Sequence, residues 1–218
     1  MKTTTRGTGP YRSRFGRSLV LAVLIAILPR PVLALTITPE AAGIANFGQV
    51  NANYFRGAQP DQAGFQRLNS LGIRTVIDLQ EDGKREEPAW VQGAGMQYFR
   101  IPLSSSHPAT AEETARFLEL VNDSRNWPVY VHCAGGRHRT GEMTGVYRIT
   151  HDTWTADQAY QEMLRYDYYS FPNHGSLRDY VYKYYDTYRV ASARRTLPPA
   201  PSDSSIAGSV SAAAPAAQ

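Results

Sequence analysis

Between Pro128 and Tyr147 the hydrophobic pattern changes period, and that change constrains the fold more than any other feature of the chain. Pro128-Val129-Tyr130-Val131 is a β-branched and aromatic run suited to a buried strand, whereas Met143, Val146 and Tyr147, from Thr140 onward, recur at helical spacing. Between the two stand His132, Cys133 and three residues with little or no side chain, Ala134, Gly135 and Gly136. The chain's only cysteine therefore sits on a strand-to-helix turn. Small residues there let successive backbone N–H groups converge on one point as an anion-binding nest. The positive end of the following helix favours negative charge at the same spot, on a bound phosphate or on the cysteine sulfur.

Chemistry at a thiol needs the thiolate, and an unperturbed cysteine near pKa ~8.5 is only slightly ionised at neutral pH. Helix N-termini and neighbouring cations lower such pKa values into the range of about 3.5 to 7.5, and Arg137, His138 and Arg139 supply cationic surroundings. The planar fork of Arg139 can hold two non-bridging phosphoryl oxygens, which a lysine cannot match geometrically. Thr140 can donate its hydroxyl to the sulfur. The catalytic residues expected on this basis are Cys133, Arg139 and Thr140, with His132, Ala134, Gly135, Gly136, Arg137 and His138 binding the substrate.

The frame His132-Cys133-x5-Arg139-Thr140 resembles the signature of the dual-specificity branch of the protein tyrosine phosphatases. Its ending, Gly136-Arg137-His138-Arg139-Thr140-Gly141, looks most like the plant and fungal atypical dual-specificity phosphatases and their bacterial relatives. Tyr54-Phe55-Arg56-Gly57-Ala58-Gln59-Pro60 and Gly72-Ile73-Arg74-Thr75-Val76-Ile77-Asp78-Leu79 look like the opening of that group. The resemblance spans roughly residues 48 to 190. It implies hydrolysis of phosphomonoesters through a cysteinyl-phosphate, without metal or other cofactor. A purely structural core cysteine does not explain four matched positions in one turn. A zinc site lacks a second cysteine. A rhodanese-type sulfurtransferase lacks the frame.

The resemblance also implies an aspartate on a mobile upstream loop that protonates the leaving oxygen. The corresponding stretch, Ile101-Pro102-Leu103-Ser104-Ser105-Ser106-His107-Pro108, holds no carboxylate, and none occurs between Glu87 and Glu112. The acid is His107, or a more distant carboxylate such as Glu112, Asp78 or Asp82, or absent. His107 is the first choice, since histidine titrates in a useful range.

Composition matters most at the two ends. Lys2, Arg6, Arg12, Arg14 and Arg17 precede the apolar run Leu19 to Leu28, and Val32-Leu33-Ala34 offers a small-residue cleavage site. Residues 1–34 read as a signal peptide for a periplasmic or secreted protein, the run being too short to span a bilayer. An Arg-rich transit peptide or an uncleaved membrane anchor are the rival readings. Removal of that segment takes six of the 23 basic residues and leaves 17 against 19 acids, so the net +4 becomes −2. Nothing then favours nucleic acid as a partner. Beyond Arg195 the chain turns to Pro, Ser and Ala, and residues 191–218 read as a disordered tail.

Between a linker at 35–47 and that tail, residues 48–190 read as a single α/β domain with a central, mostly parallel sheet flanked by helices. Strands are expected over Asn53 to Arg56, Ile73 to Leu79, Gln97 to Ile101 and Pro128 to His132. Helices are expected over Gln62 to Leu71, over Lys84 to Ala94 with an interruption at Pro88, after the capping boxes Thr110/Glu113 and Thr155/Gln158, and along the period of Leu177, Tyr180, Val181, Tyr184, Tyr185 and Tyr188. The functions in view are a phosphatase of phosphotyrosine or other phosphomonoesters, an inositol polyphosphate or pyrophosphate phosphatase, and a phosphate-binding module without turnover. Its partner is accordingly a phosphorylated protein or a small polyanionic phosphate.

Overall fold

Five strands make one mixed sheet in the order β1-β2-β5-β3-β4, with β1 (Gly48–Asn51) antiparallel to β2 (Tyr54–Ala58) and β2, β5 (Val129–Cys133), β3 (Thr75–Asp78) and β4 (Gln97–Arg100) all parallel. This is a computed structural model, and it describes residues 42–171 and 174–196. The helices are α1 (Gln62–Ser70), α2 (Glu87–Gly93), α3 (Ala111–Asn122), α4 (Arg139–His151), α5 (Ala156–Arg165) and α6 (Gly175–Thr196), with a 3-10 turn at Ser124–Asn126. The α/β architecture expected from the sequence is the one observed.

Local chemistry explains the boundaries. The side chain of Asp61 accepts the Gly64 N–H at the head of α1. Both capping boxes close reciprocally, Thr110 with Glu113 and Thr155 with Gln158. Pro88 does not interrupt α2. It lies in the first turn, where its missing N–H leaves no helical hydrogen bond unmade, so the helix begins at Glu87 rather than Lys84. Strand β1 has no counterpart among the expected strands, because Gly48-Gln49-Val50-Asn51 shows no alternation to reveal it.

Two apolar layers sandwich the sheet. On one face Phe65 and Leu68 of α1 and Val91 of α2 pack on Phe55, Val76 and Tyr130. On the other, Phe117 of α3 and Met143 and Val146 of α4 pack on Ile77, Val129, Val131 and Cys133. Burying one such large side chain contributes about 1.5–3 kcal/mol. Helices α5 and α6 cover the outer side of α4 through Ile149, Met163, Leu177 and Val181. The tyrosines of α6 follow this packing, with Tyr184, Tyr185 and Tyr188 against the same cluster.

Two expected boundaries shift. Ala42, Ile44 and Phe47 are buried and join the core, so the domain includes residues assigned above to a linker. Helix α6 continues to Thr196, past the expected start of the tail. The expected signal peptide and the remainder of the tail lie outside the described residues. No helix among the described residues is long and apolar enough to cross a membrane.

Candidate active site

The parallel register brings three strands to one level at their carboxyl ends, where Ala58 pairs with Cys133 and Asp78 pairs with His132. The chain leaves β5 at Cys133 and enters α4 at Arg139, so the intervening turn lies on the sheet's edge with a helix N-terminus behind it. Gly136 adopts φ +68°, and a Cβ there would stand 2.4 Å from the Gly57 carbonyl carbon and 2.6 Å from the Ala58 nitrogen. Only glycine fits both conditions. The turn's carbonyls are all engaged from outside. Ala134 O accepts the Gln59 N–H at 3.1 Å, Gly135 O accepts from Asn46 Nδ2 at 2.8 Å, and Gly136 O accepts from Arg56 Nη2 at 2.8 Å. In a trans peptide the N–H points opposite to its carbonyl, so the N–H groups of residues 135–137 are left facing the other way, toward a common centre.

Cys133 is buried beneath that centre. Burial alone would push its thiol up. The Thr140 hydroxyl and N–H, the Arg139 guanidinium and the Gly136 N–H outweigh it and hold the thiol below its ordinary value. The Thr140 hydroxyl has no oxygen or nitrogen partner among the described residues, which leaves it to the sulfur. Arg139 is buried, and its Nη1 donates to Leu103 O at 3.2 Å and to Asp82 Oδ1 at 3.0 Å. The bond from Arg139 holds the Asp82 carboxyl below the usual carboxylate range.

The remaining residues singled out in the sequence are dispersed. His132 is fully buried on the opposite face of β5, with Nε2 2.7 Å from Glu87 Oε1 and Nδ1 4.0 Å from Asp78 Oδ1. It does not line the anion site, contrary to the expectation above, because strand alternation sends residues 130 and 132 away from Cys133. Burial opposes its charge, but Glu87, Asp78 and the thiolate together raise its pKa. Arg137 is half-exposed, 3.8 Å from Asp167 Oδ2. His138 stacks on His174 with ring centroids 3.7 Å apart and meets the Tyr169 ring edge-on at 4.3 Å. Burial and the neighbouring His174 push its pKa down to about 4, so at neutral pH it adds no charge to the turn. That corrects the cationic role assigned to it. His107 is exposed, and its Nδ1 lies 3.2 Å from Ser106 Oγ and 3.4 Å from Ser104 Oγ. Glu112 is exposed in the first turn of α3. Of the four acids considered, Asp82 is the one bonded to Arg139.

Asp78, Glu87 and His132 bring ligand atoms within 4.8 Å of one another. The donor set does not suit a cation. Asp78 already accepts from the Gln80 N–H and side chain, Tyr98 Oη and Arg100 Nε, and Glu87 accepts from Gln59 while facing His132. The cluster braces β3, β5 and α2 against one another.

Sequence reasoning missed Arg56, Glu87 and Glu142. Arg56 could have been noticed as a charge inside a strand whose five residues are all buried. Glu142 lies one helical turn beyond Arg139, accepts the Ala109 N–H at 3.0 Å, and is pushed up to about 8 by burial.

Comparisons with known proteins identify the family and the fold. The family model described as a DSP-PTPase phosphatase fused to NAD+ kinase matches residues 39–174. The inositol diphosphatase DSP2 of Oryza sativa subsp. japonica is 30% identical over 145 residues, 64% of this chain and 69% of that protein. The dual specificity protein phosphatase TpbA of Pseudomonas aeruginosa strain UCBPP-PA14 is 28% identical over 135 residues, 62% of this chain and 59% of that protein. Against TpbA, then, the alignment spans about three fifths of the relative's length. The core catalytic domain of the S. cerevisiae PP-IP phosphatase Siw14, in complex with citrate, superposes with a TM-score of 0.58 at 24% identity, covering 75% of this chain and 98% of that one. That likeness is one of fold.

Proposed function

We propose, since the chain belongs to the DSP-PTPase phosphatase family, that it hydrolyses aryl phosphomonoesters of the phosphotyrosine kind by double displacement at Cys133. The observation that carries this reading is the buried Cys133 thiol, held below its ordinary pKa at the floor of a backbone nest with Arg139 beside it. The thiolate attacks phosphorus and the bond to the leaving oxygen breaks, giving a cysteinyl-phosphate and an alcohol that has taken up a proton. Water then attacks phosphorus, the P–S bond breaks, and inorganic phosphate leaves. Arg139 follows the equatorial oxygens through both steps, and the nest and helix terminus stabilise their charge. Thr140 donates to the sulfur as it departs.

Asp82 is the strongest candidate for the proton. Its carboxylate now shares the Arg139 guanidinium. A bound phosphoryl dianion would draw that cation and add its own negative charge nearby, both of which raise the affinity of Asp82 for a proton. His107, exposed beside Ser104 and Ser106, remains the alternative.

Three features favour an aryl monoester over a polyanion. His138 is neutral, the Tyr169 ring lies against it, and the nearby Arg137 and Arg139 have carboxylate neighbours in Asp167 and Asp82. The inositol diphosphatase name of the rice relative favours the polyanionic reading, with Arg137 as its extra cation. Phosphate release from a phosphotyrosine peptide and from an inositol pyrophosphate decides between them. A kcat/KM at least tenfold higher on the peptide is expected, and the reverse order would overturn the aryl assignment. Action outside the cytoplasm is part of the proposal and rests on the basic-then-apolar N-terminal segment. Cell fractionation tests it.

A further inference from the structure

We infer that Arg56 is a positioning residue of the phosphate cradle, turning the Gly136–Arg137 peptide so that its N–H faces the anion and keeping a positive charge beneath Cys133. The inference rests on the phosphatase reading above. Arg56 lies in β2, on the strand next to β5, and is fully buried. Removing a guanidinium from water is costly in a way that a merely structural position does not require, since an apolar side chain fills such a space without that penalty. Its described partners do little to offset this. Nη2 makes its one described hydrogen bond, to Gly136 O, while Nε and Nη1 find none. The Tyr166 ring lies 3.9 Å from the guanidinium carbon. The Glu162 carboxylate adds attraction from α5, yet both its oxygens are held by Arg148, at 2.6 and 3.2 Å.

What this buried charge does reach is the turn. Gly136, at φ +68°, has no side chain to prevent its peptide from flipping. A flip would aim a carbonyl oxygen at the phosphate and withdraw one donor. The bond from Arg56 opposes that flip from the side away from the anion. The Tyr166 ring lies against the guanidinium, and Glu162, Tyr54 and Cys133 favour its charge; of these the sulfur is the one whose charge changes during reaction. Arg56 therefore favours both the thiolate and the anion without touching the substrate.

The test uses the full chain with p-nitrophenyl phosphate, orthovanadate as an oxyanion probe, iodoacetamide inactivation followed against pH, and thermal melting. Arg56→Met keeps the length and removes charge and donors. Since losing one preorganised donor costs about 10²- to 10³-fold in turnover in the strongest cases, a fall of roughly tenfold or more in kcat/KM and a similar rise in the vanadate inhibition constant are expected. The pH midpoint of alkylation should also rise. Arg56→Lys should restore the alkylation midpoint while leaving vanadate weakened, because a single ammonium keeps charge without the fork. A folded Arg56→Met protein with unchanged vanadate affinity and unchanged alkylation midpoint overturns the inference. If Arg56→Met does not fold, Arg56→Lys decides: weakened vanadate with a normal midpoint supports the role, and wild-type vanadate affinity removes it.

Discussion

The turn that carries Cys133 and the stretch that faces it, Ile101 to Pro108, are both held through carbonyl oxygens, but the first is tied at three successive residues and the second runs out into an exposed segment. In the first, the carbonyls of residues 134, 135 and 136 are tied down by Gln59, Asn46 and Arg56, so the side facing the anion is fixed in advance. In the second, Leu103 O reaches Arg139, while Ser105 O accepts from His174 Nδ1 at 2.8 Å and Ser106 O from Ser176 Oγ at 3.0 Å. Residues 105–108 are exposed. An anion site gains from being built before the substrate arrives, because its donors then need no reorganisation in the transition state. Proton delivery is less demanding. One carboxylate from another loop can serve, and here Asp82 of the β3–α2 connection approaches Arg139.

The largest effect should come from the fixed turn itself. Cys133→Ser is expected to lower p-nitrophenyl phosphate hydrolysis by roughly 10⁴-fold or more while orthovanadate still binds, measured by product release and by calorimetry. Retained turnover would break the comparison outright, since the preorganised side would not be the reacting side.

Arg139→Lys comes next. Replacing the fork by a single ammonium should lower kcat by about 10²- to 10³-fold on every substrate, with steady-state kinetics as the check. A loss confined to KM would show that Arg139 only binds.

The facing loops are separated by leaving-group dependence. General acid catalysis contributes about 10²- to 10⁴-fold where the leaving oxygen needs a proton. Asp82→Asn should therefore slow an alkyl phosphate by at least tenfold more than p-nitrophenyl phosphate, and His107→Ala should treat both alike. The opposite pattern moves the acid to His107. Equal behaviour in both variants leaves catalysis to good leaving groups.

The smallest effect on turnover concerns the tether between the two regions. Glu142 binds the Ala109 N–H and titrates near 8 in the folded chain, against a reference of 4.5. Between those values the native state keeps a proton that the unfolded chain has lost, so stability falls as pH rises through that window. One pKa unit corresponds to about 1.4 kcal/mol, which makes the loss on the order of a few kcal/mol. Glu142→Gln should melt like the wild type at pH 5 and at a higher temperature at pH 8.5. Parallel melting curves at both values would show that Glu142 ionises freely.

What was legible in the sequence is what is local. Cys133, Arg139 and Thr140 lie within one strand, turn and helix, and each side chain's direction follows from that succession. Strand parity was also available and went unused: residues 129, 131 and 133 share a face, so His132 had to turn toward Glu87. Other features depend on separations that no pattern encodes. Arg56 lies 80 residues from Gly136, and His138 loses its charge to burial beneath the α5–α6 connection and then to His174. Asp82 entered the sequence reading only as one carboxylate among several, because chain spacing does not reveal which loop returns to Arg139.

Cys133 is the only sulfhydryl in the 218 residues. Once oxidised to a sulfenic acid, it has no second thiol in the chain with which to close a protective disulfide, and further oxidation to the sulfinic acid is irreversible without a dedicated repair enzyme. Rescue must come from a small external reductant able to pass the mouth of the nest. A phosphate bound in the nest would occupy that same mouth and shield the sulfur. Resistance to peroxide is thus set by ligand occupancy and by the surrounding thiol pool, and oxidant sensitivity should be greatest when the product has just left.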